Sequence, residues 1–226
     1  MKQKAIILFF VGLLTAISLS YSEHYIQSSK LIINGDGFNH HVLALSAFHA
    51  LKNGQFPLRV AEGVFCNLSY PIHQFYSPFT HTFIAILSFI NDNIYTGFAL
   101  SVILMTLLAF LFSYLLIKYL FNDEWYAVTA AFVYICSPYL SITRQLRGAY
   151  SEFFAICLLP PLLYFIIKSI NKPIFKNLLL SVVFLVLLMH THLITCFYFI
   201  FFSSIFFILH ISYLFYSYYK NKNKAL

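Results

Sequence analysis

The chain has 226 residues, of which 61% are hydrophobic, 20% aromatic and only 9% charged, with a mean hydropathy of +0.80. A soluble domain carries about a quarter charged residues, so this composition excludes a soluble cytoplasmic enzyme, a disordered chain and a nucleic-acid-binding protein. The net charge of +7, from 14 Lys and Arg against 7 Asp and Glu, reads on so apolar a chain as an orientation signal rather than the mark of an acidic partner.

The N-terminus is MKQK followed by the apolar run Ala5 to Tyr21. It has the charged and apolar regions of a secretory signal but no small-x-small cleavage site, which predicts an uncleaved signal anchor, with a cleaved signal as the alternative. Residues 22–93 differ from the rest, holding four of the seven glycines and three of the seven prolines. They read as a large external loop carrying interfacial helices. Within it, Phe38, Val42, Leu45 and Phe48 recur at helical spacing, and Asn53-Gly54 supplies a stop, predicting a helix over 38–52. The 12 residues Phe79 to Ile90 fall short of the ~17–25 needed to span a bilayer and suit a re-entrant or interfacial helix.

Further spans are predicted over Tyr95 to Leu120, Tyr126 to Ile142 and Phe153 to Ile167. The uncharged stretch Asn177 to Tyr219 suits two helices joined by a tight turn near Thr191 to Thr195. The fold class expected is an all-α polytopic membrane protein of about six transmembrane helices, forming a single membrane domain over 1–226, with seven spans as the alternative.

Charge tests this arrangement independently. With the N-terminus inside and Phe79–Ile90 not crossing, the inner segments hold nine cations against Asp123 and Glu124, and the outer segments five cations against five acids. If Phe79–Ile90 crossed, Lys168, Lys172 and Lys176 would move outside, against the positive-inside tendency. The expected placement is a multi-pass protein of the cell membrane with a cytoplasmic N-terminus.

Four stretches carry residues suited to chemistry. In Gly35-Asp36-Gly37-Phe38-Asn39-His40-His41 the glycines permit a tight turn that leaves a carboxylate accessible. Asp36 there suits a general base or a divalent-cation ligand at the water interface; it also suits a helix cap, and the two roles can coexist. In Asn53 to Arg59, Asn67 to Pro71 and Phe75 to Pro78, aromatic residues such as Tyr76 lie beside prolines. They suit the bilayer interface or stacking on a sugar, and Asn67-Leu68-Ser69 matches an acceptor sequon. Arg144 and Arg147, three apart, would share a helix face fit to grip phosphate oxygens, with Glu152 as a partner for Arg147, or would form a surface ion pair. His190-Thr191-His192 is spaced against a shared metal and reads as interfacial, and adjacent His40 and His41 are a poor ligand pair. The cysteines, Cys66, Cys136, Cys157 and Cys196, show no CxxC or Cys/His spacing, which argues against a disulfide framework or zinc.

GDGFNHH, LKNGQFPLR, NLSYPIHQFYSPF, SPYLSITRQLRGAYSEFFAICLLPPLLYF and HTH occur in that order. The series resembles the bacterial membrane proteins called 6-pyruvoyl-tetrahydropterin-synthase-related, which are similar in turn to C-type glycosyltransferases using polyprenyl-phosphate sugars. The resemblance implies that Asp36, in the first external loop, activates an acceptor or coordinates a metal. It implies that Arg144 or Arg147 holds a lipid-linked phosphate. His40, His41, Arg59 and Tyr76 join them as substrate-binding candidates, with Glu152 beside Asp36 as a catalytic one. The pterin label does not carry a reaction, because no soluble domain or histidine cluster for pterin chemistry is evident. Such transferases are longer, so the chain reads as the first part of a longer architecture, a truncated or split product.

The activity expected is sugar transfer from a polyprenyl phosphate to an extracytoplasmic acceptor. The alternative is a non-catalytic membrane subunit with a membrane-protein partner. A transporter ranks lower, because the predicted span interiors hold no Asp, Glu, Lys or Arg apart from Lys118 near an end, and no pair of broken helices recurs in the two halves.

Overall fold

The structure, a computed structural model, describes residues 35–61, 63–64, 68–76 and 78–224; side chains at 214, 215 and 217–224 are not part of the description. The predicted first span, Cys66 and Asn67 lie outside the described residues.

Helix α1 runs Gly37–Lys52. It stops where the sequence predicts: Asn53 N–H returns to the His49 carbonyl at 3.0 Å, and Gly54 takes φ +79°. Alanines on its inner face allow close approach to α2, which spans Pro78–Ser88. Ala44 packs in one apolar cluster with Ile84, and Ala47 and Phe48 in another with Ala85. The connecting loop is tied by an isolated antiparallel bridge, Ala61 to Tyr70, with bonds of 2.8 and 3.0 Å, and by a 3₁₀ turn over Ile72–Gln74. At 11 residues α2 is about 16 Å long, roughly half of a ~30 Å hydrocarbon core.

Helix α3, Ile94–Phe121, is opened by Asn93, whose side chain accepts the Tyr95 N–H at 2.8 Å. It turns into α4, Glu124–Ile135, at Asn122, which takes the left-handed conformation with φ 52°. Asp123 caps α4 by accepting the N–H groups of Trp125 and Tyr126. An ion pair from Lys118 to Glu124, joined by the Tyr114 hydroxyl, clamps this corner. Ser137 caps a four-residue helix α5, Pro138–Ser141, which widens at once into a π turn over Ile142–Leu146.

Helix α6, Tyr150–Asn171, contains Pro160 and Pro161 in its interior. Proline brings no N–H, so the Ile156 carbonyl four residues before Pro160 loses its helical partner. The Tyr134 hydroxyl of α4 donates to that carbonyl at 2.8 Å. Helices α7, Phe175–Thr191, and α8, Leu193–Lys224, are separated by one extended residue, His192. That break lies inside the predicted Thr191 to Thr195 turn.

The core is aromatic and aliphatic: Phe98 and Val102 of α3, Tyr150, Phe153, Phe154, Leu158 and Leu162 of α6, and Leu188 of α7. Helix α3 packs on α2, α4 and α6, and α6 on α7. The chain doubles back at each corner, so residues 36, 147 and 192 lie at one end, while the Lys118–Glu124 corner lies at the other. Four helical runs are long and apolar enough to cross a membrane: Ile94–Phe121, Glu124–Leu146, Tyr150–Asn171 and Leu193–Tyr213. Among the described residues α2 and α7 are shorter apolar helices. The first predicted span accounts for part of the difference from six, and the length of α7 for the rest.

Candidate functional site

Two cavities open at the end of the bundle that carries Asp36 and Arg147. One, of about 610 Å³, is lined by Asp36, Asn39, His40, Tyr70, Ile72 and Tyr76 among others. The second, of about 490 Å³, is lined by Tyr139, Arg147, Glu152, Ile156, His192, Ile194, Thr195 and Tyr198.

The segments that bear them touch through backbone. Asp36 N–H donates to the Arg147 carbonyl at 2.7 Å. Gly35 has φ +41°, and a Cβ there would stand 2.5 Å from the Arg147 oxygen. Only glycine permits both the conformation and the approach. Asp36 begins α1 at its N-cap position, yet its exposed carboxylate accepts no cap hydrogen bond. Of the two roles the sequence leaves open, the cap is therefore not the one its side chain fills.

The adjacent histidines face different neighbours. His40 lines the first cavity and meets His81 of α2, Nδ1 to Nε2 at 3.1 Å. His41 points into the bundle, its Nδ1 donating to the Gly37 carbonyl at 2.7 Å and its ring stacked on Phe98 at 4.0 Å. His73 lies edge-on to His81 with 5.6 Å between centroids, and Tyr76 lies against both His40 and His81. Burial holds these imidazoles neutral: His40 is pushed down to about 4 by desolvation, with His41 and His192 adding to the effect, and His73 to about 4 by desolvation. His81 is likewise lowered, by burial first and then by its two histidine neighbours.

Arg147 and Glu152 form an ion pair, Nη1 to Oε2 at 2.9 Å, and the Tyr139 hydroxyl donates to the other carboxylate oxygen. Glu152 is largely buried and Arg147 about half exposed, so the carboxylate orients a guanidinium that still faces the cavity. Arg144 does not share that face. The π turn, closed by Arg147 N–H to the Ile142 carbonyl at 3.0 Å, changes the angular spacing of the two arginines. Arg144 is buried, with its guanidinium 5.6 Å from the Phe153 ring centroid. Arg59 is exposed and lines neither cavity; its N–H reaches the Gln55 side chain at 3.4 Å.

The sequence reading missed His73, His81 and His192 as neighbours of this region. A histidine within the apolar segment Pro78–Ser88 was one signal. The break in helical order at His192 was another, because a residue between two helices is free to turn its ring into the gap.

A divalent cation at Asp36 would ask for several oxygen ligands. Among the described residues no three His, Cys, Asp or Glu side chains converge on one point.

Taken together, the described helices and their composition define an all-helical integral membrane protein, with Asp36 and Arg147 at one end of the bundle and the Lys118–Glu124 pair at the other. Residues 73–225 match the family model of the 6-pyruvoyl-tetrahydropterin synthase related domain, described as a membrane protein, and the chain belongs to that family. Tyr76, Arg144, Arg147 and Glu152 fall inside the matched region, whereas Asp36, His40, His41 and Arg59 precede it. No curated protein and no solved structure matches the chain.

Proposed function

We propose that this single membrane domain is a multi-pass glycosyltransferase of C-type character in the cell membrane, with a cytoplasmic N-terminus and residues 22–93, including α1 and α2, on the outer face. The donor is a sugar on a polyprenyl phosphate and the acceptor an extracytoplasmic hydroxyl. Asp36 takes the acceptor proton. The acceptor oxygen bonds to the anomeric carbon while the bond from that carbon to the phosphate oxygen breaks. The polyprenyl phosphate leaves with the bond's electron pair, and Arg147, oriented by Glu152, stabilises its charge. No step is routed through a metal.

The observation that carries this reading is the backbone bond between Asp36 and Arg147. It joins the segments that bear an accessible carboxylate and a half-exposed guanidinium, 111 positions apart in the numbering, each lining its own cavity. Tyr70 and Tyr76 supply aromatic faces in the first cavity suited to a sugar ring, and Ile194 and Tyr198 an apolar wall in the second.

The test uses the full chain in membranes with a panel of radiolabelled polyprenyl-phosphate sugars. Asp36→Asn is expected to lower turnover by about 10²–10⁴-fold, the usual worth of a general base, with the amount of inserted protein unchanged. Turnover retained in that variant removes Asp36 as the base and the mechanism with it.

One observation favours a second reading, a non-catalytic subunit. Only 6% of the α8 window is buried, leaving a row of Phe and Tyr side chains outward. Activity of the purified chain alone would remove this alternative.

A further inference from the structure

His192 has no role in the mechanism above, yet it stands in the second cavity with Arg147 and Glu152. Its backbone is extended, φ −156° and ψ 103°, between two helices that are otherwise continuous. Its ring does the work of an N-cap for α8. The Thr195 N–H, three residues on, donates to Nδ1 at 3.3 Å, and the Thr195 hydroxyl lies 2.7 Å from the same atom.

A backbone N–H can only donate, so Nδ1 accepts and the ring proton sits on Nε2. Protonating Nδ1 would set two donors against each other. The cap and the partial burial act in the same direction, and burial lowers the pKa of His192. The ring therefore presents one N–H donor from Nε2 and no acceptor beyond the atom Thr195 holds. Ser, Thr, Asn and Asp are the usual cap residues; histidine caps here and adds a donor that none of them would place at that distance from the backbone.

The other polar groups in this cavity are the Arg147 guanidinium, the Tyr139 and Thr195 hydroxyls, and the Glu152 carboxylate, which Arg147 and Tyr139 occupy. Ile194 and Tyr198 on α8 continue from His192 along the helix and are exposed, as is Leu193. Donors thus gather at the end of the bundle, and an apolar track leads away from them along a helix apolar enough to span a bilayer. That pairing suits an amphiphile with an anionic head.

We infer that His192 is a ligand-binding residue of this cavity: it donates its Nε2–H to a phosphoryl group held beside Arg147, and the ligand's aliphatic tail leaves along Ile194 and Tyr198 of α8. The inference rests on the reading of Arg147 as a phosphate clamp and adds a second donor and a tail path to it.

The full chain in phosphatidylcholine nanodiscs is titrated with farnesyl phosphate, farnesol and inorganic phosphate. Farnesyl phosphate is expected to bind more tightly than either of the others. His192→Asn and His192→Ser keep an oxygen to cap α8 and remove the imidazole donor. Each is expected to weaken farnesyl phosphate binding about ten- to a hundred-fold, the worth of one hydrogen bond to a charged group, while the melting temperature stays close to the parent's. His190→Asn, at an exposed position two residues before the break, should bind as the parent does. In the unaltered chain, a farnesyl phosphate bearing a diazirine in its tail should crosslink to Ile194–Tyr198, mapped by mass spectrometry.

If Arg147→Gln weakens binding and both His192 variants do not, the role of His192 is overturned and the phosphate clamp stands. If the unaltered chain fails to prefer farnesyl phosphate over farnesol, the clamp itself falls and His192 with it. Inorganic phosphate binding as tightly as farnesyl phosphate, or crosslinks falling on α1 or α3, overturns the tail path.

Discussion

At the scale of single residues, a buried carbonyl that proline leaves open finds a substitute donor on a neighbouring helix. Pro160 withholds an N–H from the Ile156 carbonyl, and Tyr134 returns a donor from the neighbouring helix. Tyr134→Phe leaves that carbonyl without its donor in an apolar setting. It is expected to cost about 1–3 kcal/mol, read as a lower midpoint of unfolding in detergent. The histidines give a second prediction, from burial. His40 has its folded pKa at about 4 against ~6.5 in the unfolded chain. The unfolded chain therefore binds more protons between those values, and stability falls as pH drops through that window. No penalty from this group is present above about 6.5, and it is complete below about 4. The melting temperature should be lower at pH 5 than at pH 7.5. His40→Gln should flatten the dependence; an unchanged slope in that variant would locate the effect elsewhere.

Between elements, close approach decides the geometry. Gly97 of α3 lies where a Cβ would stand 2.0 Å from the Ser88 hydroxyl and 2.5 Å from the Ile84 carbonyl of α2. Ser88 is held by its own bond to Ile84 at 2.8 Å, so the neighbour cannot swing aside without losing a partner. Gly97→Ala is expected to destabilise by about 1–3 kcal/mol, as overpacking does, and to loosen α2 from α3, which hydrogen exchange across Pro78–Ser88 would register as faster. The element boundaries were legible for a related reason. Asn53-Gly54 is a stop whose chemistry acts within a few positions, and it ends α1; the caps Asn93 and Asp123 act as locally but were not among the predicted signals. The π turn was not legible. Ile142–Leu146 has an ordinary helical composition, and the turn runs into Gly148, which has φ 66°, and into the Gly35 contact at Arg147. That widening separated Arg144 from Arg147.

Across the whole molecule, the proposed orientation places the Asp36–Arg147 end outside and the Lys118–Glu124 corner inside. Single cysteines introduced at Gly148 and Asn122 test it with a membrane-impermeant thiol reagent, after the native Cys66, Cys136, Cys157 and Cys196 are replaced. Gly148 should label from outside and Asn122 only after permeabilisation; the reverse pattern would invert the orientation and remove an extracytoplasmic acceptor. The helix connections keep the Lys118–Glu124 corner at the end of the bundle opposite Arg147 and His192.

The sequence by itself determined that this is a helical membrane protein, where most of its helices begin and end, and which stretches hold polar residues. Those properties depend on composition and on neighbours within a few positions, so one dimension contains them. Only the tertiary structure decided that Asp36 meets Arg147, that His40 turns to His81 while His41 turns to Phe98, and that His192 joins the second cavity. Each of those pairings follows from how helices far apart in sequence pack, and packing is set by the small residues, prolines and turns that fix how closely two helices approach.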